Sequence, residues 1–342
     1  MAAKGDSGFF IQPKSCQGFK DITELHSVYG EDSTLGVPQE FFSHNGRVLA
    51  SSNGLVCGRN LNNRQPELFI CNPATQTWLS IPVPESLRSY TDCDLNIVFE
   101  CNDIALPSEF SHDSYTLMAM DLEAPEDFSN SKFKIYSYRE GTWKEMGQMV
   151  TGFREMEFDM PVCYNGTINY ISDCSPYLKK GSSFYWPYVV SYDIQSGKSK
   201  FLAIPKSARK GVHDWSCKLC IFKWRSGTNT SICLIQLLKG TFSAWVWSGD
   251  SDTSSWTRIM KIRVGAMGMM ESDLTVAGFT VVNGSSLLIA TAQKVYSYDL
   301  RGERHQRAKE ICHHGCRENV LFQSYSNTLR PCGNIGATTL SI

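Results

Sequence analysis

Four residues able to ligate a metal fall within five positions at Cys312-His313-His314-Gly315-Cys316. Thiolate and imidazole are the donors that zinc prefers, but a tetrahedral site normally draws on a second segment of chain. The run is therefore read as a connecting loop, and whether Cys312, His313, His314 and Cys316 bind a metal is left open. Cys217-x-x-Cys220 is a second thiol pair. It has no companion pair at zinc spacing and lies in an apolar strand pattern, where positions three apart face opposite ways. Ser196-Gly197-Lys198-Ser199 has the end of a phosphate loop without its upstream glycine, and it falls in a predicted hairpin turn rather than between a strand and a helix. No catalytic triad, carboxylate pair or dinucleotide fingerprint can be assigned. No enzyme activity, cofactor or resident metal is expected.

Recognition chemistry is easier to find. Tyr177, Tyr185, Trp186, His213 and Trp215 are aromatics that no strand pattern requires, and Arg209 and Lys210 stand among them with Lys179 and Lys180. Large aromatics and arginine dominate binding energy at protein interfaces. These residues are the candidate partner-binding set, although loop aromatics also cap cores and charged runs are commonly just solvated. Asp121, Glu123, Glu126 and Asp127 form an acidic stretch, and Met267, Met269 and Met270 an apolar one that suits either contact or packing.

Composition limits the partners. The 342 residues carry a formal charge of −1, so nothing draws the chain as a whole to nucleic acid or to an anionic membrane. The first residues hold no apolar signal-peptide core and no apolar run reaches membrane-spanning length. The 13 cysteines are odd in number and sit mostly in apolar strands, as at Cys57, Cys71, Cys163 and Cys233. That usage suits a reducing cytoplasm or nucleus, where the sequons at Asn165, Asn229 and Asn283 would go unused.

The elements that must position these residues repeat. In 51–82 an Asn53-Gly54 turn leads into strands at 55–60, 66–71 and 77–81, the last opened by Trp78. Asn-Gly suits a type I′ hairpin turn because both central residues need positive φ. The pattern returns with strands at 95–102, 114–120, 132–138 and 142–149; at 160–164, 167–172, 187–194 and 198–205; at 217–224, 231–238, 242–248 and 255–262; and at 278–282, 286–291, 294–300 and 303–311. Asn-Gly recurs at 165 and 283, and Tyr-Asp closes third strands at 192 and 298. Four-strand repeats of this length indicate an all-β propeller. Five units leave 319–329 and the first ~45 residues over, and pairing the two would close the ring without a free edge. Six blades are favoured, with seven as the alternative and a flat β-sandwich as the rival architecture. One domain is expected over 1–332, with 333–342 a disordered tail. The long loops, at 121–131, 173–186, 206–216, 263–277 and 313–319, would all open on one face.

SSNGLVCG with FICNPATQTWLSIP resembles the opening signature of the plant F-box-associated domain, the kelch-like region of plant F-box proteins. FKIYSYREGTWKEM at 133–146, VCYNGTINYIS at 162–172, VVSYDIQSGKSKFLAIP at 189–205 and SYSNTLRP at 324–331 agree with it, as does GFFIQ at 8–12. The resemblance implies substrate recognition for a cullin-RING (SCF) ubiquitin ligase, with a target protein as partner. Nothing in residues 1–45 reads as the helical F-box that docks the ligase adaptor, so the associated domain is expected alone, and adaptor binding only where an F-box is supplied. A glycan-binding propeller and a kelch-type propeller enzyme are the rival readings. The enzyme would need a metal set or carboxylate cluster at the ring axis.

Overall fold

The computed structural model describes residues 7–14, 23–30, 35, 37, 46–60, 67–84, 87, 96–101, 115–121, 131–139, 141–175, 178–210, 214, 216–226, 229–249, 255–302, 306–316 and 319–332. Their regular structure is almost wholly β-strand, with a short 3-10 turn at Val264–Ala266. The first strands are β1 (Ser7–Pro13) and β2 (Glu24–Ser27). Five four-stranded antiparallel sheets follow, each pairing its strands in chain order. Blade 1 holds β3 (Arg47–Ser52), β4 (Leu55–Asn60), β5 (Glu67–Asn72) and β6 (Thr77–Ile81). Blade 2 holds β7 (Asn96–Cys101), β8 (Tyr115–Asp121), β9 (Ser131–Arg139) and β10 (Thr142–Gly152). Blade 3 holds β11 (Val162–Tyr164), β12 (Thr167–Ile171), β13 (Tyr188–Asp193) and β14 (Lys198–Ala203). Blade 4 holds β15 (Lys218–Ser226), β16 (Asn229–Leu238), β17 (Thr241–Ser248) and β18 (Ser255–Arg263). Blade 5 holds β19 (Gly278–Val282), β20 (Ser286–Ala290), β21 (Lys294–Asp299) and β22 (Lys309–His313), before β23 (Val320–Ser326).

The first strands of these sheets face an axis. β3, β7, β11, β15, β19 and β23 all contribute to the wall of one axial cavity of about 160 Å³. Across it Lys223 on β15 meets Glu100 on β7 at 2.7 Å. This is a six-bladed propeller, and the sandwich and seven-blade alternatives fall away. The sixth blade is made from both ends of the chain: β23 pairs with β1 from Ser7 opposite Ser326 to Pro13 opposite Val320, and β1 pairs with β2. The described residues supply three strands of this closing sheet.

Turn chemistry follows the sequence. Asn53 and Gly54 have φ of 46° and 84°, Asn165 and Gly166 45° and 71°, Asn283 and Gly284 51° and 73°, all in the left-handed region that a type I′ turn needs. At Gly54 a Cβ would collide with Thr328 Oγ1, so glycine lets the segment after β23 lie against this turn. Asp193 receives the Ser196 amide on its carboxylate at 2.6 Å, and Asp299 that of Arg301 at 2.9 Å. The Tyr-Asp pairs are thus turn caps, with Tyr192 and Tyr298 buried.

Each sheet is apolar on both faces because it lies between two neighbours. Six buried clusters result, each shared by adjacent blades around the ring. One joins Leu288 and Val295 of blade 5 to Phe9, Ile11 and Phe322 of the closing sheet. Burying a side chain of this size contributes about 1.5–3 kcal/mol. Tryptophans on the outermost strands stitch the rim: Trp143 donates its Nε1–H to Pro82 O at 2.5 Å and Trp256 donates to Ala203 O at 2.9 Å, each crossing to the preceding blade.

The last strand of blade 5 departs from expectation. It runs over Lys309–His313 rather than 303–311. Ala308 donates to Met267 O at 2.7 Å and the Gln306 side chain donates to Asp299 O, which holds this approach out of the ladder. Cys312 and His313 consequently end a strand instead of lying in a loop. The expected tail at 333–342 lies outside the described residues.

Candidate functional site

Antiparallel pairing in chain order sends the 1–2 and 3–4 turns to one face and the longer 2–3 and 4–1 connections to the other. On the long-loop face, blade 3 and its borders gather an aromatic surface. The 173–187 connection between β12 and β13 carries Phe184, Tyr185 and Trp186. Phe184 contacts Phe153, just beyond β10, at a ring separation of 5.1 Å, and Phe201 on β14 at 5.5 Å. Tyr185 and Trp186 meet edge-to-face at 4.8 Å. Arg209, from the connection between β14 and β15, lays its guanidinium over the Trp186 ring at 5.9 Å. Phe153, Trp186 and Phe201 are 43%, 37% and 45% exposed, which sets them apart from core aromatics.

Of the residues predicted from sequence, the structure thus brings together Tyr185, Trp186 and Arg209, with Lys210 exposed next in the chain. Tyr177, His213 and Trp215 lie outside the described residues, as do Glu123, Glu126 and Asp127. Lys179 and Lys180 are exposed on the loop that carries Trp186. Met267 and Met269 are buried in the core between blades 4 and 5, and Met270 alone of the three is exposed. Phe153 and Phe201 were not anticipated: Phe201 lies on β14, where alternation alone does not mark a residue as exposed, and Phe153 lies just past the end of β10.

The loop is held by a residue that sequence reasoning passed over. Arg154 has a fully buried side chain. Its Nε donates to Phe184 O at 2.9 Å and Nη2 to Tyr185 O at 2.5 Å. Nη1 donates to Asp173 O, Asp173 Oδ1 and Ser175 O at 3.1–3.2 Å. One guanidinium therefore gathers both ends of the loop, since its planar donor fork can serve several carbonyls at once. Arg209 differs: its Nε is buried with no acceptor, while its cationic plane lies on an exposed ring.

A larger cavity, about 330 Å³, opens beside this surface at the end of the axis. Lys14 stands at its wall, 2.9 Å from Asp159 and 3.3 Å from Glu157, and tethers the end of β1 to blade 3. Burial would push the Lys14 ammonium down, but these carboxylates outweigh it and raise its pKa. Lys218 on β15 donates to Asn319 Oδ1 at 3.2 Å.

The Cys-His-His-Gly-Cys run is dispersed. Cys312 and Cys316 are buried in the cluster between blade 5 and the closing sheet, His313 points out towards Glu310, and His314 Nε2 bonds Thr291 O at 3.1 Å. Among the described residues no three His, Cys, Asp or Glu side chains form a metal-binding group. Glu24 on β2 joins this corner to the closing sheet. It accepts from Gly315 N at 2.8 Å and lies 2.9 Å from His26 Nε2.

Two titrations at this corner act in one direction. Burial pushes the His314 imidazole below its ordinary value, aided by His26 and His313 and opposed by its Thr291 bond and by Glu24. Its buried Nδ1 has no acceptor for a second proton. Burial would raise Glu24, but the His26 hydrogen bond and the Gly315 amide hold it below its ordinary value. Both groups have depressed native pKa values, so the unfolded chain binds more protons and stability is lost as pH falls. The loss starts near the unfolded histidine value of about 6.5 and deepens below about 4.3, the unfolded glutamate value. Thermal midpoints are expected to fall between pH 7.5 and 5.5, and His314→Gln to flatten that slope. An unchanged slope in the variant would remove His314 from the account.

A family model described as an F-box associated beta propeller domain matches residues 6–309. The Arabidopsis thaliana "F-box protein At5g65850" is 20% identical over 247 residues, which cover 70% of this chain and 54% of that protein. The chain thus spans about half the length of this curated relative. Among solved structures, it is similar to TolB from Acinetobacter baumannii, with 13% identity, a TM-score of 0.48 and coverage of 94% of this chain and 66% of that one. An alpha-L-arabinanase from Penicillium chrysogenum is 12% identical, with a TM-score of 0.42 and coverage of 79% and 83%. No helix among the described residues is long and apolar enough to cross a membrane.

Proposed function

The chain belongs to the F-box associated β-propeller family, and from that premise we propose that it recognises a target protein for an F-box-type cullin-RING ubiquitin ligase. It binds through the long-loop face and contributes no chemistry of its own. The adaptor of the ligase is a partner only where an F-box is supplied, and the setting is the cytoplasm or nucleus. The observation that carries this reading is the exposed aromatic surface around Phe153, Trp186 and Phe201 with Arg209 stacked on it. Aromatic anchors beside an arginine are the composition of an interface hot spot. A rigid sheet scaffold with function placed on its loops is how propellers and other loop-bearing folds present such surfaces. With Arg209, Lys210, Lys179 and Lys180 on the same two loops, the surface suits a target presenting an apolar side chain flanked by acidic ones.

The test is quantitative co-purification from cells of the source tissue, comparing the unmodified chain with Trp186→Ala and Arg209→Ala. Proteins bound through this face should fall at least about 30-fold with Trp186→Ala, as loss of a 2 kcal/mol hot spot dictates, at an unchanged melting midpoint. Equal recovery with both variants would exclude this face. Co-elution with the adaptor on size exclusion is read separately and decides only the ligase assignment.

A further inference from the structure

Charge is divided unevenly around the rim of the ring. Residues 194–213, which hold β14 and most of the connection after it, carry Lys198, Lys200, Lys206, Arg209 and Lys210 and no carboxylate. Residues 253–270, which hold β18, carry Arg258, Lys261 and Arg263 and again no carboxylate. Eight cations thus stand without an acid on two segments of a chain whose formal charge is −1. The outer strands of the other three four-stranded blades differ. β6 has no charged residue, β10 sets Glu145 after Lys144, and β22 sets Glu310 after Lys309.

Packing makes one band of the two segments. Trp256 Nε1 donates to Ala203 O at 2.9 Å, Trp245 Nε1 to Ser207 Oγ at 3.0 Å and Gln236 Nε2 to Ala208 O at 2.8 Å, which fastens the chain after β14 along blade 4. Leu202 and Trp256 pack together into the cluster between blades 3 and 4. Alternation along β14 puts Lys198 and Lys200 on the side of Leu202 and Phe201 on the other, where it meets Phe184. On β18, Met260 and Ile262 pack towards blade 5, which leaves Lys261 and Arg263 on the blade 3 side. Arg209 is half-buried and the other seven cations are exposed. Among the described residues none of the eight forms an ion pair. The described acids that flank these segments are engaged elsewhere. Asp193, opposite Lys198 on β13, accepts the Ser196 amide at 2.6 Å. Asp214 lies 3.1 Å from Lys239 Nζ, and Glu271 accepts from Thr291 Oγ1 at 2.9 Å and from Tyr296 Oη at 2.7 Å.

A lysine or two suffices to guard a sheet edge against pairing. Eight like charges in one band repel one another and cost stability, a cost that an anionic partner lying along them offsets. What stands between the cations gives that partner its class. Single-stranded nucleic acid is held by aromatic platforms interleaved with basic residues. The aromatic of β18, Trp256, is half-buried, packed against Trp247 and bonded to Ala203. Insertion among lipid headgroups needs apolar side chains beside the charges, and Phe201 lies across β14 from the lysines. An extended acidic polypeptide fits, since its side chains alternate at the same strand spacing as Lys198 and Lys200. We propose that this band receives an acidic, extended segment of the target protein, alongside the apolar site on the other side of β14. That the segment belongs to the target rests on the function proposed above; the affinity of the band for acidic polypeptide does not.

The test titrates a fluorescein-labelled polyglutamate peptide with the whole purified protein and reads fluorescence anisotropy at about 0.15 M salt. Saturable binding is expected, weakening as salt rises. Arg258→Glu, Lys261→Glu and Arg263→Glu combined should weaken it at least about tenfold, at a few-fold per reversed charge, whereas Lys309→Glu on β22 should not. On the unmodified protein, the peptide should protect Lys198, Lys200, Lys206 and Lys261 from acetylation mapped by mass spectrometry, a readout that stands should the triple variant fail to fold. Absence of saturable binding, equal affinity of a folded triple variant, or unprotected lysines would overturn the proposal. So would tighter binding of an oligothymidylate or of phosphatidylserine vesicles, which would assign the band to nucleic acid or to a membrane. The probe carries no apolar side chain, so its failure leaves the aromatic surface standing. Equal target recovery with Trp186→Ala, in turn, leaves the band.

Discussion

Arg154→Ala is expected to destabilise the protein by about 3–5 kcal/mol, the range for removing one member of a buried, hydrogen-bonded ion pair. The substitution leaves the Asp173 carboxylate and the carbonyls of Asp173, Ser175, Phe184 and Tyr185 facing a vacated space. Each loses the guanidinium donor that took the place of water on folding, so desolvation costs accumulate. Arg154→Lys should recover little, because one ammonium cannot span positions served by three separate nitrogens. Urea unfolding would read the global loss, and tryptic cleavage after Lys179 and Lys180 the local one, which should accelerate well beyond the global effect. A loss under about 1 kcal/mol with unchanged cleavage would mean that the loop holds itself.

Why this arginine escaped the sequence reading is instructive. It stands between β10 and β11 in Gly-Phe-Arg-Glu-Met-Glu, where nothing distinguishes a side chain turned inward from one in solvent. Apart from the Asp173 carboxylate, its acceptors are backbone carbonyls farther along the chain, and carbonyls leave no mark in a sequence. The blade pattern was legible for the opposite reason. Asn-Gly turns and Tyr-Asp caps are local devices, each fixed by a few adjacent residues. Phe201 was missed because alternation says which side of a strand a residue takes but not whether a neighbour covers it, and Phe153 because it lies just past the end of β10. The stretches that carry the family resemblance prove to meet one another. Asn72 of the CNPAT segment donates to the carbonyls of Thr328 and Arg330 in the closing segment, and Gln12 of GFFIQ exchanges two bonds with the Val48 backbone. These signatures describe how the ring is fastened, and so they identify the family without naming its target.

Truncation before Val320 is the second large effect. It removes β23, the axial strand of the closing blade, and with it the partner of β1 along its whole length. Val320, Phe322 and Tyr325 are all buried, and at about 1.5–3 kcal/mol each their loss alone rivals the ~5–15 kcal/mol net stability of a typical domain. The cut also exposes an unpaired edge on β1 and uncovers the blade 1 and blade 5 faces that β23 lies against. The truncated chain is expected to lose its cooperative thermal transition and to elute as aggregate on size exclusion. A monomer with a melting midpoint near that of the intact chain would show that five blades hold without the sixth.

The fastening strands are made at opposite times. β1 is synthesised well before the partner whose own pairing residues begin at Val320. At about 5–20 residues per second that interval is roughly 15–60 seconds. Through all of it Phe9, Phe10 and Ile11, wholly buried in the finished ring, lack the axial strand that pairs with them on one side. Blade 1 likewise stands with one apolar face open while the later blades are laid down. The nascent ring is therefore most exposed to mispairing just before it is complete, and the seam that spares the native protein a loose edge leaves its precursor with two.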